Sequence, residues 1–351
     1  ATGAGRFGVN LIERLRRANS QLDAVVLTAL GSGHPLEVPI LHPRFFRLVF
    51  AIPRIRALMR SCDIIHALDG FPYGVIAVLA SIGLGKKLVV TAIGTGAIRP
   101  FRHFVRGRLL AWAYRRADRV VAISGYTRRE ILARLPGLAI EIINHAVDYR
   151  EFSGDLMAPL TAEERSTIAA MQPYVLSVGG WKRRKGFEYS FPAFAEIRKR
   201  FPQMRYVVCG IGPKPQLEEP LGLHGSVHYF KGIRWPFLKA IYAGAELFML
   251  LAVDDGNDVE GFGFAFLEAA AAGLPVIGAR QSGAEDAVRD GENGFLVEPR
   301  NAPMAVGAAI RILSDQTLAR RFSAGSRTLA REMSWEAVAE RYGALYRGLI
   351  V

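Results

Sequence analysis

The chain has 351 residues, half of them apolar and 22% charged, and carries no low-complexity tract. That length is too great for one ordinary core and predicts two globular domains, which excludes a disordered or fibrous protein. The net charge of +13 sits entirely in residues 1–150, which hold 22 Lys/Arg against 9 Asp/Glu, while residues 151–351 hold 23 of each. The two parts are therefore expected to meet different partners.

Cys62 and Cys209 share no metal-ligand spacing and suggest no disulfide framework, which points to a reducing, cytoplasmic setting. The longest apolar run, "GVIAVLASIGLG" (74–85), falls short of the roughly 18 residues of a membrane span. Any membrane association is expected to be peripheral, on the inner face.

In chain order, "ATGAGRFG" places Gly3, Gly5 and Gly8 in a glycine turn that enters a helix with no strand ahead of it. The expectation is that a first strand is missing from this sequence. Short apolar, β-branched runs follow at "LDAVVLT" (22–28), "DIIHAL" (63–68), "KLVVTAI" (87–93), "RVVAIS" (119–124) and "IEIINHA" (140–146). Longer helical stretches separate most of them, which argues for a parallel, doubly wound sheet. After a looser joint over 150–172 the alternation restarts at "YVLSVGG" (174–180), "RYVVCG" (205–210), "VHYFKG" (227–232), "LFMLLA" (247–252), "PVIGA" (275–279) and "GFLV" (294–297). A last helix over 334–349 is expected to pack back on the first domain. The predicted domains are 1–155 with 334–351, and 156–333.

Three stretches carry chemistry. In "DVEGFGFAFLEAAAAGLPVIG" (258–278) Glu260 and Glu268 flank Gly261–Gly263, where a turn feeds a helix beginning near Phe264. The amides of Gly261, Phe262, Gly263 and Phe264 at such a helix start form an anion site, strengthened by the helix dipole. The two carboxylates lie about 10 Å apart along the chain, which suits the two ends of a nucleotide sugar and is wide for a glycosidase pair. In "SVGGWKRRKGFEYS" (177–190), Lys182, Arg183, Arg184 and Lys185 follow a strand, where α/β sheets bind ligands, and can neutralise a departing diphosphate. "VVCGIGPKP" (207–215) adds Gly212 in a Gly-x-Gly turn, and "DDGND" (254–258) reads as an acidic loop.

The Glu-x7-Glu stretch resembles the signature of family 4 retaining glycosyltransferases. "QSGAEDAVRDGENGFLVEP" (281–299) follows it in that family's order, and "GAGRFGVNLIERL", "DIIHALDG", "ADRVVAISGYTRREI" and "NHAVDYREF" resemble its amino-terminal markers. The resemblance implies a GT-B fold: α/β, with two Rossmann-like domains whose parallel sheets face each other across a cleft. It implies a donor nucleotide sugar on the second domain and a glycan or lipid-linked acceptor on the first. Glu260 would contact hydroxyls of the transferred sugar and Glu268 the ribose. The 261–264 amides, Lys185 and Arg184 would hold the diphosphate, with no cofactor or metal ion. Gly180 and Gly212 would line the donor side, and Gly5, His66 and Gly94 the acceptor side.

Two positions depart from the family. Ile93 stands where a histidine is common, and Gly180 where an arginine is common, Arg184 being the expected substitute. His145 is expected to be structural. "DVEG" leans towards enzymes that use GDP-mannose, with UDP-sugars as the alternative donors. Two other readings stay open: a nucleotide-sugar epimerase of the same fold, and a non-catalytic nucleotide-sugar binder.

The segment 98–119 carries seven arginines interleaved with aromatic and aliphatic residues. That mixture suits an anionic membrane surface or a lipid-phosphate acceptor. Nucleic acid is not expected as a partner, because no recognition motif accompanies the charge.

Overall fold

The computed structural model describes residues 3–29, 31, 33–42, 44–214, 216–256 and 258–350, and the side chains from Phe7 onward within them. Ala1, Thr2, Pro215 and Asn257 of the motifs quoted above lie outside the described residues. The chain divides into two compact units. One runs to His145 and takes in the last helix from Trp335; the other is Ala146–Ser334.

In the first unit, strands β1 (Val26–Leu27) and β2 (Glu37–Val38) form a two-stranded parallel sheet. Strands β3 (Ile64–Leu68), β4 (Lys87–Ala92), β5 (Arg119–Ala122) and β6 (Ile140–Ile142) form a four-stranded parallel sheet in chain order. Among the described residues the sheet is thus split, and the run expected at 22–28 contributes two residues only. Helix Gly3–Ala18 packs against the last helix, Trp335–Ile350. Phe7 holds the two together, 5.4 Å from the Trp335 ring and 6.1 Å from the Tyr342 ring.

The glycine turn expected at the start is instead helical: Gly3, Gly5 and Gly8 all lie within Gly3–Ala18. A Cβ on Gly8 would fall 2.7 Å from Leu68 Cδ1, so this glycine lets the helix approach the end of β3. Close packing, not turn geometry, accounts for that residue.

In the second unit, β7 (Tyr174–Val178), β8 (Arg205–Gly210), β9 (Val227–Lys231), β10 (Leu247–Leu250), β11 (Val276–Ala279) and β12 (Gly294–Val297) make one parallel sheet. Their order is β12-β11-β10-β7-β8-β9. Val175, Leu176, Val207, Phe248, Met249 and Ile277 are fully buried, as strands covered by helices on both faces require. The chain winds outward from β7 to β9, then returns to set β10 beside β7. At such a reversal the loops beyond the strand ends part and leave a crevice, the usual ligand position in doubly wound sheets. Among the described residues, no helix is long and apolar enough to cross a membrane.

Candidate functional site

The loop leaving β7 is pressed against the chain leaving β10. Gly186 has φ +68°, and a Cβ there would lie 1.7 Å from the Leu251 carbonyl oxygen, so only glycine permits the approach. The Val253 N–H donates to the Arg184 carbonyl at 2.9 Å. Arg184 and Lys185, in the single turn Arg183–Lys185, are thereby fixed at the reversal. From the other side, the Gly283 N–H beyond β11 donates to the Glu260 carbonyl at 2.7 Å. Three strand ends converge on one cluster of charges.

Lys185 Nζ lies 2.6 Å from Glu260 Oε2. Arg184 pairs with the same oxygen through Nη1 and with Asp258 Oδ2 through Nε at 2.8 Å. Lys185 is 7% exposed and Glu260 8%. Burial pushes the Glu260 carboxyl up, but Lys185 and Arg184 outweigh it and hold the group below the usual carboxylate range. Burial acts to lower the Arg184 guanidinium, and Glu260 and Asp258 more than reverse it. The cluster is ionised and tightly paired, with Lys185 and Glu260 buried and Arg184 and Asp258 at its partly exposed side.

The described residues of "DDGND" form a loop, as expected, and Asp258 at its end joins the charge cluster. It stands two residues before Glu260, in the irregular segment between β10 and helix Phe264–Ala271.

Gly263, at φ +87°, opens helix Phe264–Ala271. Phe262 is buried and belongs to the core, whereas Phe264 is partly exposed. Glu268 accepts a hydrogen bond from the Tyr242 hydroxyl at 2.7 Å, and Tyr242 is itself fully buried. Nothing local in the sequence marks that pairing, because Tyr242 comes from helix Trp235–Ala243. Gly180 and Gly212 lie on adjacent loops, joined by the Trp181 N–H donating to the Ile211 carbonyl at 2.9 Å. Gly212 has φ +122°, a glycine conformation, while a Cβ on Gly180 meets nothing closer than 3.7 Å.

The first-unit candidates come from three elements: the first helix, β3 and the turn after β4. His66 hydrogen-bonds the Tyr346 hydroxyl through Nδ1 at 2.6 Å and Thr91 Oγ1 through Nε2 at 2.7 Å. Burial lowers its pKa to about 3, so the ring is neutral. With both nitrogens engaged inside the unit, His66 ties the last helix to the sheet. His145 is buried and meets Phe7 edge-on at 4.8 Å. Gly94, at φ +58°, begins the turn Gly94–Ala97 after β4 and faces open space. Gly5 is a residue of the first helix.

Sequence reasoning passed over Asp69, at the end of β3. A Cβ on Gly96 would fall 2.3 Å from its Oδ2. Burial pushes the Asp69 carboxyl up to about 8, against the N–H groups of Gly70 and Phe71, which pull it down.

Comparison with known proteins agrees with this architecture. Residues 1–151 match the family described as Glycosyltransferase Family 4, and residues 161–329 the family described as Glycosyl transferases group 1. The chain is 30% identical over 240 residues to a GDP-mannose-dependent alpha-(1-6)-phosphatidylinositol monomannoside mannosyltransferase of Mycolicibacterium smegmatis. That match covers 66% of this chain and 63% of the relative's length. The fold is that of Anabaena HepE, solved with UDP and glucose (TM-score 0.80, 17% identity, 99% of this chain and 96% of that one). Sucrose-phosphate synthase from Thermosynechococcus elongatus is also similar (TM-score 0.74, 22% identity, 100% and 94% covered). With both sheets built and both halves matched, the chain belongs to glycosyltransferase family 4 and has the GT-B fold.

Proposed function

We propose that the chain is a retaining hexosyltransferase that moves a sugar from a nucleotide diphosphate sugar to a hydroxyl of a glycan or lipid-linked acceptor. The observation that carries this is the buried cluster of Lys185, Arg184 and Glu260 at the sheet reversal. A largely buried site with two fixed cations suits a reaction in which negative charge grows on a leaving diphosphate. In this reading the bond between the anomeric carbon and the phosphate oxygen breaks towards an oxocarbenium ion. Lys185, Arg184 and the 261–264 amides hold the departing group, and no metal ion is required. The acceptor oxygen bonds to the anomeric carbon from the face of departure, and its proton passes to the leaving phosphate oxygen. Glu260 contacts hydroxyls of the transferred sugar and Glu268 the ribose. GDP-mannose is the first donor to try, given the mycolicibacterial relative, with UDP-sugars next. The basic first unit serves an anionic membrane surface or a lipid-phosphate acceptor.

The test is nucleotide release from GDP-mannose, UDP-glucose and ADP-glucose, with and without a polyprenyl or inositol-lipid acceptor, followed by NMR of the product anomer. Acceptor-dependent release with an α-linked product is expected. Free isomerised nucleotide sugar would make the protein an epimerase, and binding without release would make it a binder.

A further inference from the structure

Between residues 38 and 117 the chain has 13 Lys/Arg and two acidic residues, Asp63 and Asp69. Helix Phe45–Met59, "FFRLVFAIPRIRALM", lies in this stretch and has two apolar faces. Leu48, Ile55 and Met59 are buried in the unit, whereas Phe46 (73% exposed), Val49 and Phe50 (71%) face outward. The Phe46 and Phe50 rings lie edge to face at 5.1 Å, so they form one patch. A helix apolar on both sides needs a second apolar neighbour.

The topology adds a second patch at the same edge. Helix Phe104–Arg116 crosses from β4 to the parallel strand β5, so it runs against the strands and begins where they end. Phe104 (71% exposed) and Val105 (66%) occupy that start. Phe45 stacks at 5.3 Å on Phe71, in the turn after β3, which places the start of Phe45–Met59 at this edge too. Both helices pack against helix Val75–Ser81, hence on one face of the sheet. Arg44, Arg47, Arg99, Arg102, Arg106 and Arg108 are exposed at these helix starts. Arg108 covers the Phe104 ring at 3.9 Å.

We propose that these two helix starts form one membrane-inserting edge, in which Phe46, Phe50 and Phe104 enter the headgroup region of an anionic bilayer while the arginines pair with lipid phosphates. This rests on the membrane reading of the basic unit and sharpens it, because charge alone would hold the protein at the surface without insertion. The charge selects the occupant: a second copy would set two strongly basic faces against each other. The edge is also the one at which the β3 and β4 loops would meet an acceptor.

The experiment is co-sedimentation with phosphatidylcholine vesicles containing about one third phosphatidylglycerol, at low salt and at about 0.5 M salt, where exposed charges are screened within a few ångströms. Phe46→Ser/Phe50→Ser should lower partitioning by about a hundredfold or more, and the loss should persist at high salt, since the burial of two aromatic rings is a hydrophobic gain that salt does not screen. In Phe50→Trp, the added indole emission should be quenched by brominated lipid. Nucleotide affinity by calorimetry should stay unchanged in each variant, which checks folding and the donor site separately. If the wild type binds and the serine variant binds equally well with no quenching, insertion is wrong and the electrostatic reading survives. If the wild type ignores these vesicles, both fail. A wild-type dimer that the serine variant dissociates, without vesicle binding, would give the patch to a second copy and overturn the proposal.

Discussion

Lys185 Nζ and Glu260 Oε2 are 2.6 Å apart, and both side chains are more than nine-tenths buried. A buried pair of this kind is costly to assemble and more costly to break, because removing one partner strands the other's charge. Arg184 shares the carboxylate, so the loss of Lys185 leaves Glu260 partly compensated. With Asp258 the cluster sums to zero charge, two cations against two carboxylates.

Lys185→Met should therefore lower kcat on the order of a hundredfold while weakening donor affinity much less, since the charge it meets grows as the bond breaks. Its melting temperature should also fall, by less than complete isolation of Glu260 would cause. Steady-state kinetics alongside calorimetric donor binding check this; equal losses in both would reduce Lys185 to a binding residue.

Glu268→Ala should weaken nucleotide binding by roughly 1.5–3 kcal/mol, the usual loss for hydrogen bonds to a charged group. Tyr242→Phe should reproduce part of that loss, because its hydroxyl fixes the carboxylate at 2.7 Å. Calorimetry with GDP and UDP is the measurement. Unchanged affinity in both variants would remove Glu268 from the site.

Two neighbouring glycines separate backbone necessity from local tolerance. Gly186→Ala would drive a Cβ to 1.7 Å from the Leu251 carbonyl oxygen at φ +68°, costing on the order of 3 kcal/mol or more. Gly180→Ala meets nothing closer than 3.7 Å and should shift stability by less than about 1 kcal/mol. Thermal melts of the two proteins should differ sharply, and similar melts would mean the 179–186 loop relaxes freely.

What the sequence made legible follows from how each feature is held. The strands of the second unit read clearly because β7, β8 and β10 are covered on both faces and so appear as unbroken apolar runs. The positions of Glu260 and Lys185 were legible because glycines stand beside each between a strand and a helix, Gly261 and Gly263 after Glu260 and Gly179, Gly180 and Gly186 around Lys185. β2 was not, since Glu37–Val38 is two residues of ladder in "PLEVPI" with no periodicity to find. The partnership of Tyr242 with Glu268 joins two helices, and Asp258 was hidden inside an acidic run that resembles any solvated loop. The contacts of His66 were hidden for a different reason: its partner Tyr346 stands 280 residues away in the last helix.

Asp69 gives a pH dependence of definite sign. Its carboxyl has an ordinary value near 3.8 and is raised to about 8 in the fold by burial. A raised carboxyl favours the folded state fully only below the unfolded value, and the advantage is lost as the pH climbs towards the folded one. Between about 4 and 8 the unfolded chain gives up this proton more readily than the folded chain does, so stability contributed here declines across that window. Above 8 the folded protein bears a buried charge beside the Gly96 backbone. Asp69→Asn keeps the shape and an acceptor for the Gly70 and Phe71 N–H groups but cannot ionise. The variant should match the wild type near pH 4, then melt several degrees higher at pH 8, giving a flatter stability curve through the window. Denaturant midpoints for the two proteins at pH 4, 6 and 8 measure the difference. A constant offset at all three values would show that Asp69 titrates normally and that its burial is relieved by water.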